Sequence, residues 1–92
     1  MRTEEHWKQC LNHKSYAMAQ NAILELKDIA INSGYDPRGI KLHGKKEAMR
    51  RNIGRVGALI TWEEGPEDWT EMCDLPYEVC DVIKGNMLVF YD

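Results

Sequence analysis

Apolar residues recur every three or four positions along the first third of the chain, which is the spacing of one face of an α-helix. Thr3 is a suitable N-cap and Gly34 a suitable C-terminal stop, so the pattern predicts one long helix over residues 4–33. Its weak point is residues 12–15, where Ser15 could cap a second helix. The broad apolar face of this helix contains Trp7, Leu11, Met18, Ala19, Ala22, Ile23, Leu26, Ile29 and Ala30.

A second, narrower apolar line follows the opposite side of the same helix at a spacing of seven residues. It contains Cys10, Ala17, Leu24 and Ile31. A helix with two apolar sides is either buried on both sides or uses one of them to dock a partner. The sequence leaves both alternatives open.

The rest of the chain changes to short β-rich runs separated by turns. Residues 56–63 and 87–91 carry β-branched and aromatic side chains, which predicts two strands. Gly65-Pro66 signals a turn, after which residues 69–73 are expected to return as the hairpin partner of the first strand.

Three further segments complete the prediction of secondary structure. Residues 40–43 fit a short strand, and residues 45–52 fit a short helix. Residues 76–84 fit either a helix or a strand. The Gly-Asn turn at residues 85–86 favours the strand, and with it a β-meander.

Length and composition limit the fold to one small domain. A chain of 92 residues buries roughly 60–65% of its unfolded surface, which excludes a two-domain enzyme or a (β/α)₈ barrel. With 43% hydrophobic and 29% charged residues, the chain is globular. We expect a single α+β domain over residues 1–92, in which the long N-terminal helix packs on an antiparallel sheet of three or four strands.

The chain has no apolar run long enough to span a membrane, and its first residues lack the apolar stretch of a signal peptide. We therefore expect a cytoplasmic protein with no membrane contact. Cys10, Cys73 and Cys80 are too few for a disulfide framework, so they are expected to be reduced and buried.

Charge is distributed unevenly along the chain. Residues 1–55 hold eleven Lys or Arg against six acids, whereas residues 56–92 hold one Lys against nine acids. Such polarity indicates either a charged partner or neutralisation between the two halves across the fold.

The positive charge is concentrated in residues 38–55, which we call the basic segment. Clustered Lys and Arg neutralise phosphates, and glycines let a ligand approach the backbone, so the segment predicts contact with RNA, DNA or a ribonucleoprotein. The acidic pI of about 5.6 and the lack of aromatic residues within the segment favour instead a solvated surface. The predicted binding residues are Arg38, Lys41, His43, Lys45, Lys46, Arg50, Arg51 and Arg55.

The negative charge begins at Glu63, the last residue of the strand predicted at residues 56–63. One hypothesis is phosphate mimicry, in which carboxylates occupy a basic channel of a partner, and the alternative is a turn together with the solvent-exposed face of a sheet. The spacing of the acids fits no calcium loop, so no metal is predicted there. We call the first four of these acids the acidic face: Glu63, Glu64, Glu67 and Asp68.

Catalytic chemistry has weak support in the sequence. His6, Cys10 and His13 would share one side of the predicted helix, which suggests a zinc site as an alternative, although a fourth ligand is needed. No nucleophile elbow, phosphate-binding loop or metalloprotease motif is present. We therefore predict a protein that is not an enzyme and that uses no metal and no cofactor.

Two motifs lie in the last third of the chain: Trp62-Glu63-Glu64-Gly65-Pro66-x-x-Trp69 and Leu88-Val89-Phe90-Tyr91-Asp92. They resemble small phage-encoded proteins that combine a tryptophan-rich hairpin with a C-terminal strand. In such a hairpin, the two tryptophans would meet as a cross-strand pair. The resemblance implies an accessory protein of phages or mobile elements, a group that includes the anti-CRISPR proteins, and it implies no catalytic residues.

These observations together predict a non-catalytic binding protein. We expect a phage-type stoichiometric inhibitor of a host nucleoprotein complex, such as a CRISPR–Cas effector, which occupies a nucleic-acid or protein interface. One alternative is an accessory protein that binds nucleic acid directly through the basic segment. Another is a small zinc-binding protein or enzyme. The sequence leaves the target and the oligomeric state open.

Overall fold

The computed structural model of the protein describes residues 2–76 and 78–92. It confirms an α+β fold with an antiparallel sheet of four strands. Two short 3₁₀ helices, Pro37–Gly39 and Trp69–Cys73, lie in the connections. The other elements are α1 (Glu4–Cys10), α2 (Ser15–Asn32), β1 (Lys41–Gly44), α3 (Lys45–Arg50), β2 (Val56–Thr61), β3 (Cys80–Ile83) and β4 (Met87–Tyr91).

The prediction of a single long N-terminal helix is wrong. Helix α1 begins as expected, with the Thr3 hydroxyl accepting from the backbone N–H of His6, but it ends at Cys10. Helix α2 starts at Ser15 with Lys14 as its N-cap, so Ser15 does not cap it. The break coincides with the weak point at residues 12–15, and Ser15 packs closely on β2, where a Cβ added to Gly57 would lie 1.7 Å from its Oγ.

The sheet has the order β1-β2-β4-β3. The hairpin predicted around residues 85–86 is confirmed, because β3 and β4 pair antiparallel and positive φ angles at Lys84 and Gly85 allow the tight turn. The β-meander is wrong, because β4 also pairs with β2 and thus inserts between β2 and β3. Within residues 76–84 the strand covers Cys80–Ile83, and Tyr77 lies outside the described residues.

The predicted return strand at residues 69–73 is also wrong. This segment is a 3₁₀ helix bounded by Asp68 and Asp74, whose φ angles of 59° and 54° turn the chain at each end. Trp69 and Cys73 are buried in the core that α2 shares with the sheet. The edge of β2 that this strand would have occupied is taken by β4.

The sheet is covered on both faces. Small and branched residues of α2 pack on one face against Ala58, Ile60, Leu88 and Phe90. On the other face, Ala48 of α3 joins a smaller cluster formed by Val56, Leu59, Met87 and Val89. The broad apolar face predicted for the first helix is therefore confirmed for α2, where the residues facing the core are Met18, Ala19, Ala22, Ile23, Leu26 and Ala30.

All three cysteines are buried and reduced, as predicted. Burial raises the pKa of Cys73 to about 12 and that of Cys80 to about 11, so both remain thiols near neutral pH. In the described part of the chain, no helix combines the length and apolar character that a membrane span requires.

Candidate anion-binding site

A cleft of about 560 Å³ collects four of the eight predicted basic residues: Arg38, Lys41, His43 and Arg51. Lys41 and His43 alternate along β1, so both point to the same face of the sheet. Helix α3 follows β1 directly and packs on that face through Ala48. The cleft is completed by Asp36, Gly39, Thr61, Trp62, Glu63 and Asn86.

Arg38 and Arg51 reach the cleft from different elements. Arg38 lies in the 3₁₀ helix that precedes β1, where the Asp36 carboxylate accepts from its backbone N–H at 2.9 Å. Arg51 follows α3 and extends over β4, with Nη1 3.7 Å from the sulfur of Met87. Two guanidinium groups and the ammonium group of Lys41 therefore border one concave surface, which suits phosphate or carboxylate oxygens.

Acidic residues partly neutralise these cations. Arg38 pairs with Asp36 at 3.1 Å, and this hydrogen bond lowers the pKa of the Asp36 carboxyl. Glu47 accepts hydrogen bonds from both Arg50 and Arg51, which lower its pKa to about 2. Lys41 forms no ion pair with any residue in the ranges 2–76 and 78–92, so its charge remains available to a ligand.

His43 differs from the other members of the cleft. Its Nε2 lies 2.9 Å from the Thr61 hydroxyl across the strand pair β1–β2. Burial lowers the pKa of the imidazole, outweighing the opposite effect of Glu47, and Arg51 and Lys41 lower it further. At neutral pH His43 is therefore mainly a neutral hydrogen-bonding group, and it adds positive charge only on acidification.

The other predicted basic residues lie outside this cleft. Lys45 pairs with Asp92 at the end of the sheet where β2 begins, and the carbonyl of Arg55 accepts from the backbone N–H of Asp92 nearby. Lys46 and Arg50 lie four residues apart on α3 and are exposed. The fold thus divides the basic segment into two groups, which its sequence spacing did not indicate.

The acidic face lies beside the cleft, in the loop that follows β2. Glu63, Glu64, Glu67 and Asp68 are all exposed. Trp62, Glu63 and Asn86 line both the basic cleft and the neighbouring cleft under this loop. Positive and negative surfaces are therefore contiguous in this region.

The two tryptophans meet even though the predicted hairpin does not form. The rings of Trp62 and Trp69 are 5.0 Å apart and nearly perpendicular, at 81°. A Cβ added to Gly65 would lie 3.0 Å from the Trp69 ring, so the loop closes directly over it. This contact anchors the acidic face to the core.

The predicted zinc ligands do not assemble. His6 Nε2 lies 3.6 Å from the Cys10 sulfur, which also receives a hydrogen bond from the Asn21 amide at 3.3 Å. Because α1 ends at Cys10, His13 no longer continues the helical face of the other two. Among the described residues, no three or more His, Cys, Asp or Glu side chains are grouped to hold a metal ion.

Several residues of the cleft were missed by sequence reasoning. Asp36 directly precedes Pro37 in the sequence, but its pairing with Arg38 depends on the local 3₁₀ conformation. Thr61 and Asn86 come from elements distant in sequence and reach the cleft only through strand pairing.

No known protein family, curated protein or solved structure matches the chain.

Replacing Glu47 with glutamine is expected to destabilise the protein at neutral pH and to have little effect near pH 2. The folded-state pKa of about 2 lies below the ordinary value of 4.5, so the ionised carboxylate stabilises the folded state above pH 4.5. This contribution is lost as the pH falls from 4.5 to 2. Thermal unfolding of both proteins across this pH range measures the difference.

Glu63→Gln is the matched control, since it makes the same charge change at an exposed position in the acidic loop. A stability difference between Glu47→Gln and the wild-type protein that stays constant across the pH range would contradict the assignment of Glu47 as the shared partner of the two arginines.

Proposed function

We propose that the chain is a non-catalytic binding protein and that the cleft contacts phosphate groups of a nucleoprotein complex. The observation that carries the proposal is the convergence of Arg38, Lys41 and Arg51 on one concave surface. Guanidinium groups donate paired hydrogen bonds to phosphate oxygens, and a lysine adds a mobile charge. Three such groups around one cleft are suited to a short stretch of nucleic-acid backbone.

The acidic face supports a nucleoprotein over naked nucleic acid. Carboxylates beside a phosphate-binding cleft repel the rest of a nucleic-acid strand, but they attract the Lys and Arg residues of a nucleic-acid-binding protein. Glu63 belongs to both surfaces, so a partner engaged by one surface also meets the other. A nucleoprotein groove presents phosphates and basic side chains side by side, which matches this arrangement.

Inhibition is the biological role that we propose for this contact. A small domain that occupies the junction of nucleic acid and protein blocks access to that groove at a ratio of one to one. The motifs that contain Trp62 and Phe90 resemble phage accessory proteins, which supports a host complex such as a CRISPR–Cas effector as the target.

Direct binding of naked RNA or DNA is the second candidate. It is supported by Lys46 and Arg55, which are exposed and form no ion pair within the described part of the chain. Asp36 and Glu63 at the main cleft weigh against it. Its signature would be tight binding to oligonucleotides with an affinity that falls steeply as salt is raised.

The test compares two double variants that change the charge equally. Arg38→Glu with Lys41→Glu reverses two exposed cations at the cleft, whereas Lys46→Glu with Arg55→Glu reverses two exposed cations elsewhere in the basic segment. Each variant is immobilised and used to capture a nucleoprotein complex from host-cell lysate, with and without nuclease. Each is also titrated with short RNA and DNA oligonucleotides.

We expect the cleft variant to lose the captured complex by more than roughly tenfold, because two charge-assisted hydrogen bonds are replaced by repulsion. The control variant should retain it. Equal retention by both variants would refute the cleft as the contact. Tight binding of wild-type protein to naked oligonucleotides, reduced by either variant, would instead establish the second candidate.

A further inference from the structure

The outer side of α2 carries an apolar line that the fold leaves uncovered. Leu24 and Ile31 are 54% and 56% exposed, while the opposite side of the helix packs on the sheet. Seven residues correspond to nearly two turns, so the two side chains lie one above the other about 10 Å apart. Ala17, one heptad earlier and half-buried, continues the line toward the start of the helix.

Opposite charges border this line. Lys27 and Asp28 lie between Leu24 and Ile31 in sequence, and at 100° per residue they project about 50° to either side of the line. Within the ranges 2–76 and 78–92, neither side chain forms an ion pair with another residue of the chain. At this level of α2, one cation therefore borders the line on one side and one anion on the other.

We infer that this side of α2 binds the same side of a second copy of the chain, with the two helices parallel and related by a two-fold axis along them. This rotation places Leu24 against the partner's Leu24 and Ile31 against the partner's Ile31. The same rotation brings the Lys27 side of each helix against the Asp28 side of the other helix. The dimer therefore contains two pairs of Lys27 with the partner's Asp28. An antiparallel pair would instead place like charges together, Lys27 on Lys27 and Asp28 on Asp28.

Two features of α2 favour this contact. Leu24 and Ile31 repeat at the seven-residue spacing of parallel helix pairs, in which residues of the seam meet their own copies. The small Ala17 lets the helices approach closely at the other end of the seam. A contact through a single helix is small beside the roughly 1,200–2,000 Å² of standard interfaces, so we expect a weak dimer.

Sedimentation equilibrium from about 10 µM to about 1 mM protein tests the dimer over the concentrations at which small interfaces associate. We expect Leu24→Glu to raise the dissociation constant more than roughly tenfold, because two like-charged carboxylates replace the two leucines that meet at the two-fold axis. Helix α2 should remain intact, since Leu24 is more than half exposed and glutamate favours helices. Met49→Glu is the control, as Met49 is 71% exposed on α3.

Exchanging the charges of Lys27 and Asp28 tests whether the two α2 helices are parallel. Lys27→Glu or Asp28→Lys alone should weaken the dimer by roughly tenfold, because each makes both cross-pairs repulsive. The double variant Lys27→Glu with Asp28→Lys should restore it. An equimolar mixture of the two single variants should form heterodimers in preference to either homodimer.

Each contrary result overturns the inference. A protein that stays monomeric at about 1 mM has no such dimer, and a dimer unaffected by Leu24→Glu uses another surface. A dimer that the single charge reversals leave unchanged is not the parallel pair. None of these measurements involves the basic cleft, so they succeed or fail independently of the proposed function.

Discussion

Replacing Phe90 with alanine is expected to lower the free energy of unfolding by about 3–5 kcal/mol, the range for removing a buried phenylalanine. The Phe90 side chain is fully buried in β4, on the face of the sheet that packs on α2. Its neighbours in register are the small Ala58 on β2 and Cys80 on β3. The ring therefore fills the space above both neighbours, and paired strands on each side limit the collapse of the cavity.

Urea unfolding followed by tryptophan fluorescence and by circular dichroism measures this loss. Tyr91→Ala is the matched control, because Tyr91 is the next residue of β4, points to the other side and is exposed. We expect that control to lose about 1 kcal/mol or less. An equal loss in both variants would show that Phe90 does not fill the centre of the core.

Replacing Trp69 with alanine is expected to cost a similar amount, about 3–5 kcal/mol. Trp69 is 2% exposed, packs edge-on against Trp62 and supports the loop that closes over it at Gly65. Its loss removes both the buried indole and the aromatic contact. The same unfolding measurement applies.

The variant Trp69→Phe distinguishes the contribution of the aromatic ring to stability from that of the indole N–H. The indole N–H of Trp69 is buried and has no acceptor among the described residues, which makes it costly in the folded state. Phenylalanine removes this donor while keeping an aromatic ring, so we expect a much smaller loss than for alanine. A phenylalanine variant as unstable as the alanine variant would show that the full indole shape is required.

The candidate site was only partly predictable from the sequence. The abundance of Lys and Arg in the basic segment was evident, and the strand predicted at residues 40–43 overlaps β1, in which alternation places Lys41 and His43 on one face. The sequence did not indicate that the cleft would contain Arg38 and Arg51. It also did not indicate that Lys45 and Arg55 would lie outside the cleft. These depend on where α3 packs and on the pairing of Lys45 with Asp92, the last residue of the chain.

By itself, the sequence determined the elements whose signals are local. The apolar period of α2, the Thr3 cap of α1 and the turn of the β3–β4 hairpin predicted at residues 85–86 depend on residues within a few positions of one another. Helix periodicity, capping and turn conformations are short-range effects, so they can be inferred without knowing the rest of the fold.

Only the tertiary structure decided the features that depend on distant contacts. Residues 69–73 form no strand, and the edge of β2 that such a strand would have used is occupied by β4. Arg38 and Arg51 line one cleft only in the folded chain, since they belong to different elements. Burial and strand pairing outweigh local propensity wherever the two compete, because they involve more buried surface and more hydrogen bonds than a single turn of chain can supply.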